Sequence, residues 1–194
     1  NTRKIRLLGQ KASFLKCDVT SEASVARAYK SIVKQYHVVD VLVNNAGVTC
    51  FRSFEKTTVR DFDTVLATNL RGTFLCTKSV LPAMVKRRAG VIINIVSVAA
   101  TTTFENSSAY AAAKAGMLAM SRGLRSEVRK KGVRVMDILP GAVETEMWHN
   151  AARKKYHEKM MQPDDVADVV VSAFRQSHRV LVEEIVVRPL EGDL

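Results

Sequence analysis

Aromatic residues are scarce, 6% of 194, and only four prolines and nine glycines punctuate the chain. The few aromatics do not interleave with the basic residues, which argues against a surface that stacks nucleic-acid bases. The low glycine and proline counts exclude collagen-like and low-complexity chains. No apolar run approaches the roughly 20 residues of a membrane-crossing helix. The three cysteines, Cys17, Cys50 and Cys76, are odd in number and match no zinc spacing or disulfide framework. They read as reduced, mostly buried small hydrophobes, which predicts a reducing, cytoplasmic setting. No basic-then-apolar leader opens the chain at Asn1.

What is present suits one globular domain spanning residues 1–194: 47% hydrophobic residues and 25% charged. The net charge of +11, from 30 Lys and Arg against 19 Asp and Glu, could attract nucleic acid, an acidic protein or a phosphorylated ligand. Its distribution favours a local cause. The clusters Lys86-Arg87-Arg88 and Arg129-Lys130-Lys131 directly precede Ala89-Gly90 and Gly132, where helical patterns end and cations favour the helix dipole. A third cluster is Arg153-Lys154-Lys155. Neither a nucleic-acid nor a membrane partner is predicted.

Two periodicities alternate along the chain. Val25, Ala28, Tyr29, Ile32, Val33 and Tyr36 recur at helical spacing after the polar start Thr20-Ser21-Glu22. Short apolar runs at 38–43, 91–96, 133–139 and 180–187 read as strands buried on both faces. Between them, helical patterns cover 58–88, 108–131 and 163–176. Thr58 and Asp61 suit a capping box, and Pro82 marks a break or a new first turn. Residues 12–18 look like one more strand. This alternation predicts an α/β fold with a doubly wound parallel sheet.

Such sheets bind ligands beyond the carboxyl ends of their strands. The candidates there are Asp18, Asn44 to Gly47, Ser97 and Pro140 to Thr145. Tyr110 and Lys114 join them, because residues four apart share a helix face. An ammonium beside a phenol favours the phenolate and is expected to lower the tyrosine pKa, making proton exchange accessible. A nearby serine could hold a carbonyl or alcohol oxygen. Asn69, mid-helix, needs a polar reason for its position.

In this order, Asp18-Val19, Asn44-Asn45-Ala46-Gly47, Asn69-Leu70-Arg71-Gly72, Ser97, Tyr110-Ala111-Ala112-Ala113-Lys114 and Pro140-Gly141-Ala142-Val143-Glu144-Thr145 resemble the short-chain dehydrogenase/reductase family. The resemblance runs from Ala12 to the C-terminus. It implies a Rossmann-like oxidoreductase that uses NADP or NAD to interconvert a carbonyl and an alcohol. It also implies a tetrad in which Tyr110 is the general acid or base and Ser97 orients the substrate oxygen. Lys114 would tune Tyr110 and bind the nicotinamide ribose, and Asn69 would hold a water for proton supply. The implied cofactor contacts are Asp18 and Val19 at the adenine; Asn45, Ala46 and Gly47 by their backbone; Tyr110 and Lys114; and Pro140, Gly141, Val143 and Thr145 at the nicotinamide. No metal is implied.

The family's phosphate turn, T-G-x-x-x-G-x-G, is not in the sequence. The expectation is that an N-terminal β-α-β unit of about 30 to 40 residues precedes the first residue. Arg3 and Lys4 are candidates for a 2′-phosphate, which slightly favours NADPH. Residues 146–162 occupy the position of a substrate lid, with Met147, Trp148, Met160 and Met161 as its apolar side chains. The main expectation is a carbonyl reductase acting on a small molecule. One alternative is a 3-ketoacyl-(acyl-carrier-protein) reductase whose Arg88 and Lys131 dock an acidic carrier; another is a cofactorless scaffold or regulatory relative. A homodimer or homotetramer is expected through Leu70, Phe74, Ala115 and Leu118.

Overall fold

A computed structural model gives the structure of residues 2–193, with Arg3 and Lys4 described by their backbone alone. The short helix α1 (Thr2–Leu7) precedes an irregular segment, then α2 (Glu22–Tyr36) and β1 (Val41–Asn44). Helices α3 (Val59–Leu66) and α4 (Gly72–Arg87) lead to β2 (Gly90–Ile95), and α5 (Ser108–Val128) to β3 (Val133–Pro140). Helices α6 (Asn150–Tyr156) and α7 (Pro163–Phe174) precede β4 (Glu184–Val187). The four strands pair in parallel in the order β1-β2-β3-β4, with Val41 opposite Val91, Ile92 opposite Val135 and Ile138 opposite Ile185.

The strand alternation sorts the apolar residues onto two faces. Ile92, Val133 and Val135 pack with Val80 and Met84 of α4 and Val128 of α5. Val91, Ile93, Met136 and Ile138 pack on the opposite side with Val166 and Ala173 of α7. Covering both faces explains why the strands are apolar throughout. Burial also overrides the proline signal. Pro82 lies inside an unbroken α4, whose neighbouring residues Val80 and Met84 are almost wholly enclosed. The proline ring fixes a helical φ, so its cost is local and the packing sustains the helix.

The capping box at the start of α3 is present: Asp61 N–H donates to the Thr58 hydroxyl oxygen at 3.1 Å, and Thr58 N–H to the Asp61 carboxylate at 3.0 Å. Between α3 and α4 the helix widens into a π segment, Ala67–Arg71. Residues 12–18 form no strand. No described backbone pairs with them in a ladder, and strand geometry is stabilised only by such pairing. The cysteines are also less enclosed than their type suggests. Cys17 is exposed, and Cys50 and Cys76 are half-buried.

The basic clusters at 86–88 and 129–131 do lie at helix ends. Arg88 takes the left-handed cap of α4, and its guanidinium donates to the Lys130 carbonyl at 2.8 Å. Arg87 bridges to Asp40 at 2.8 Å and to the Val39 carbonyl at 3.0 Å. Among the described residues, no helix is long and apolar enough to cross a membrane, and no cluster of His, Cys, Asp or Glu could hold a metal ion.

Candidate active site

The carboxyl ends of β1, β2 and β3 open into a crevice of about 480 Å³. Ser97, Tyr110 and Lys114 line it together with Asn45, Gly47, Pro140, Gly141, Val143 and Thr145. Strand β2 delivers Ser97 two residues past its end. The Ser97 hydroxyl oxygen also accepts from Ala99 N–H at 3.1 Å, starting the 3-10 turn Val98–Ala100 that fixes its position. Helix α5 presents Tyr110 and Lys114 one turn apart, with the Lys114 ammonium 5.7 Å from the Tyr110 ring centre. Lys114 is 5% exposed, and its ammonium donates to the Ile95 carbonyl at 2.8 Å.

Asn69 lies in the π segment with no exposed surface. Its Oδ1 accepts from Val48 N–H at 3.0 Å, and its Nδ2 donates to the Val48 carbonyl at 2.8 Å. The side chain therefore acts as a two-point strut for the turn after β1. The Asn69 backbone carbonyl in turn accepts from the Thr73 hydroxyl at 2.8 Å. The widened π turn is what aims Asn69 at Val48, a partner no spacing rule reveals.

Gly47 has to be small for the same reason. A Cβ there would lie 2.8 Å from Asn69 Oδ1 and 3.9 Å from the Lys114 ammonium. Gly47→Ala is expected to cost about 1–3 kcal/mol by displacing Asn69 from Val48. Urea unfolding checks this, and in an Asn69→Ala background the same substitution should cost far less.

Electrostatics differ from the sequence expectation at one point. Burial pushes the Tyr110 phenol up from its ordinary value of 10.0, and the adjacent Ser97 hydroxyl pulls only partly the other way. Lys114 does not reverse this, and burial depresses its own pKa, from 10.5 to about 8. Desolvation disfavours the charged form of both groups.

Lys114 thus binds fewer protons in the folded chain than in the unfolded chain between pH 8 and 10.5. The burial penalty is fully present below pH 8 and disappears as pH rises through that window. Stability of the wild type relative to Lys114→Met is expected to rise between these pH values, as measured by thermal melts of both proteins.

Asp18, Val19 and Ala46 do not line the crevice. Asp18 is exposed, and its carboxylate is held below the usual range by the Thr20 hydroxyl at 2.8 Å and amide at 2.9 Å. The Arg3 and Lys4 side chains lie outside the described residues. The segment 146–162 is split. Met147 and Trp148 line the crevice, with Trp148 stacked 5.9 Å from Phe51, whereas Met160 and Met161 are buried. Backbone bonds from Met161 N–H to the Ala142 carbonyl and from Glu144 N–H to the Met161 carbonyl draw the two methionines inward.

Phe51, Phe104, Glu105 and Asp193 also face the crevice. None was readable as a site residue: their positions depend on loop and tail paths without periodicity. Of the expected contact residues between copies, Phe74 and Ala115 are exposed, but Leu118 is 2% exposed and belongs to the core with Met117 and Val96.

Comparison with known proteins agrees with this geometry. Residues 2–156 match the family model for short chain dehydrogenases. The chain is 40% identical over 189 residues to a sepiapterin reductase from Chlorobaculum tepidum, covering 97% of this chain and 77% of that protein. A metagenomic short-chain oxidoreductase, solved in complex with NADP, superposes with a TM-score of 0.83 at 30% identity, over 97% of this chain and 78% of the other. An alcohol dehydrogenase from Thermococcus sibiricus, complexed with 5-hydroxy-NADP, shares the fold with a TM-score of 0.89 at 22% identity, over 100% and 81% of the two chains.

Proposed function

Because this chain belongs to the short-chain dehydrogenase/reductase family of enzymes, we propose that it interconverts a carbonyl and an alcohol with NADP or NAD, and that Tyr110 is its proton donor and acceptor. The observation that carries this reading is the convergence of Ser97, Tyr110 and Lys114 on one crevice beyond the strand ends. A bound nicotinamide supplies or accepts the hydride. The roles below belong to the chain's own residues.

Ser97 and Tyr110 hold the substrate oxygen by their hydroxyls. With its pKa raised, Tyr110 stays protonated at neutral pH and is suited to donate to the oxygen as a carbonyl is reduced. Oxidation of an alcohol draws on the phenolate and gains as pH rises. Lys114 is anchored by the Ile95 carbonyl and attends the ribose side, while Asn69 keeps the Gly47-Val48 turn in place.

The residues at the crevice suit the nicotinamide end of such a nucleotide. Gly47 brings backbone without a side chain to the crevice wall. Val143 pairs with Met161 through the flanking Ala142 carbonyl and Glu144 amide, so its own N–H and C=O point to the other side of the strand, as a carboxamide would require. Pro140, Gly141 and Thr145 flank the same wall and Asn45 continues it, while Ala46, outside the crevice, would offer its backbone to the nucleotide and Asp18 with Val19 would meet the adenine. NADP is favoured by the NADP complex of the 30%-identical relative.

The segment 146–162 acts as the lid through Met147 and Trp148, within a single domain of residues 1–194. Phe51, Phe104, Met147 and Trp148 make a largely apolar wall suited to a small carbonyl compound. Sepiapterin belongs in the first panel, on the strength of the relative's name. The carrier-protein alternative is weakened because Arg88 is turned to the Lys130 carbonyl. A pair of copies would meet through the exposed Phe74 and Ala115 side of α4 and α5.

Spectrophotometry with NADPH, NADH and a carbonyl panel tests the reading. Carbonyl-dependent oxidation of the nucleotide is the expected result, and nucleotide binding without turnover of any carbonyl would count against it.

A further inference from the structure

Helix α4 carries a thiol, Cys76, that the proposed reaction does not use, and the segment before α2, which carries Cys17, leads into residues that lie against the same helix. The two surfaces meet at a close seam. A Cβ on Gly72 would lie 2.9 Å from Val19 Cγ2, so the absent side chain lets Val19 lie directly on the helix. Arg71 donates to the Thr20 carbonyl beside it. Cys76 follows Gly72 by one helical turn on the same face, and Cys17 precedes Val19 by two residues.

The chain before Val19 therefore passes the next turn of α4. The Cys17 side is positioned from behind by α2: Asp18 N–H donates to Ser24 Oγ at 2.9 Å, and the Ser24 hydroxyl reaches Cys17 Sγ at 4.0 Å. In agreement, the Cys76 thiol is pushed up by its burial and further by negative charge on Cys17. Cys50 lies on a different loop, after β1.

We propose that Cys17 and Cys76 form a redox-active dithiol, which a hydroperoxide converts to a disulfide that ties the segment before α2 to α4. Exposed Cys17 reacts first: its sulfur takes one oxygen from the hydroperoxide, giving a sulfenic acid and releasing the alcohol, or water from hydrogen peroxide itself. Cys76, half-buried, then attacks that sulfur; the S–S bond forms, the S–OH bond breaks and water leaves. Two thiols are oxidised and one peroxide O–O bond is reduced. A small dithiol restores both thiols by exchange, becoming a disulfide itself. This inference is independent of the carbonyl chemistry proposed above.

The test treats the native chain with hydrogen peroxide, then maps tryptic peptides without reduction. The expected products are a Cys17–Cys76 linked peptide, a fall in free thiols from three to one, and slower amide hydrogen exchange across residues 13–19. Cys50→Ser should leave the cross-link intact, and Cys17→Ser or Cys76→Ser should abolish it. A link involving Cys50, links only between separate chains, or a Cys17–Cys76 link that forms only in denaturant would overturn the proposal.

Discussion

Tyr110→Phe is expected to reduce carbonyl turnover by about 100- to 10,000-fold, the range that general acid catalysis contributes. The substitution removes one oxygen and keeps the ring, which packs 6.2 Å from the Phe51 ring at the crevice wall. The fold should therefore persist, with far-ultraviolet circular dichroism and the thermal midpoint close to wild type. Nucleotide affinity should change little compared with kcat, because the lost group acts on the substrate oxygen. Residual turnover should also lose the pH dependence contributed by the phenol. Retention of wild-type kcat by a folded, nucleotide-binding Tyr110→Phe protein would mean that another group supplies the proton.

The largest stability effect is expected at Arg125. Beneath the sheet's α4–α5 face runs a buried polar chain: Asn44 Nδ2 donates to Asn94 Oδ1 at 2.8 Å, and Asn94 Nδ2 to Asp137 Oδ1 at 2.9 Å. The Ser121 hydroxyl donates to the same carboxylate, and Arg125 pairs with it while also donating to the Val135 and Glu183 carbonyls at 3.0 and 2.8 Å. Asp137 has no exposed surface, and Arg125 is 4% exposed. Burial pushes the Asp137 pKa up despite the bonds from Ser121 and Asn94 and the charge of Arg125. Desolvation thus dominates, and the pair serves position more than net stability.

Removing one partner is costly, because it leaves a buried charge uncompensated. Arg125→Met is expected to lose about 3–5 kcal/mol of unfolding free energy. Adding Asp137→Asn to that variant should recover much of the loss, since the charge disappears while Ser121 keeps an acceptor. Denaturant titration of the single and double variants measures the coupling. A single variant within about 0.5 kcal/mol of wild type would show that water reaches the carboxylate.

The cap, the π turn and the strut show where one-dimensional reading ends. Thr58 and Asp61 are three apart, and their capping box depends on local backbone alone, so it was legible. Asn69 was legible as a residue needing a polar reason. Its partner Val48 lies 21 residues away, at a distance that only the π segment closes. Pro82 signalled a break, and the packing of Val80 and Met84 overrode it. Met160 and Met161 were read as lid residues by type, but backbone bonds to Ala142 and Glu144 turn them into the core.

By itself, the sequence determined the order of the four paired strands and the long helices between them, the α/β class, and the placing of Ser97, Tyr110 and Lys114 at a strand end and on one helix face. Those features follow from short apolar runs, from the 3.6-residue helical period and from spacings within single elements. Tertiary structure alone decided which groups lose water: the rise of the Tyr110 pKa, the depressed Lys114, the enclosed Leu118, the exposed Cys17 and the approach of Asp193 to the crevice. Desolvation depends on what arrives from distant parts of the chain, and local pattern carries no record of it.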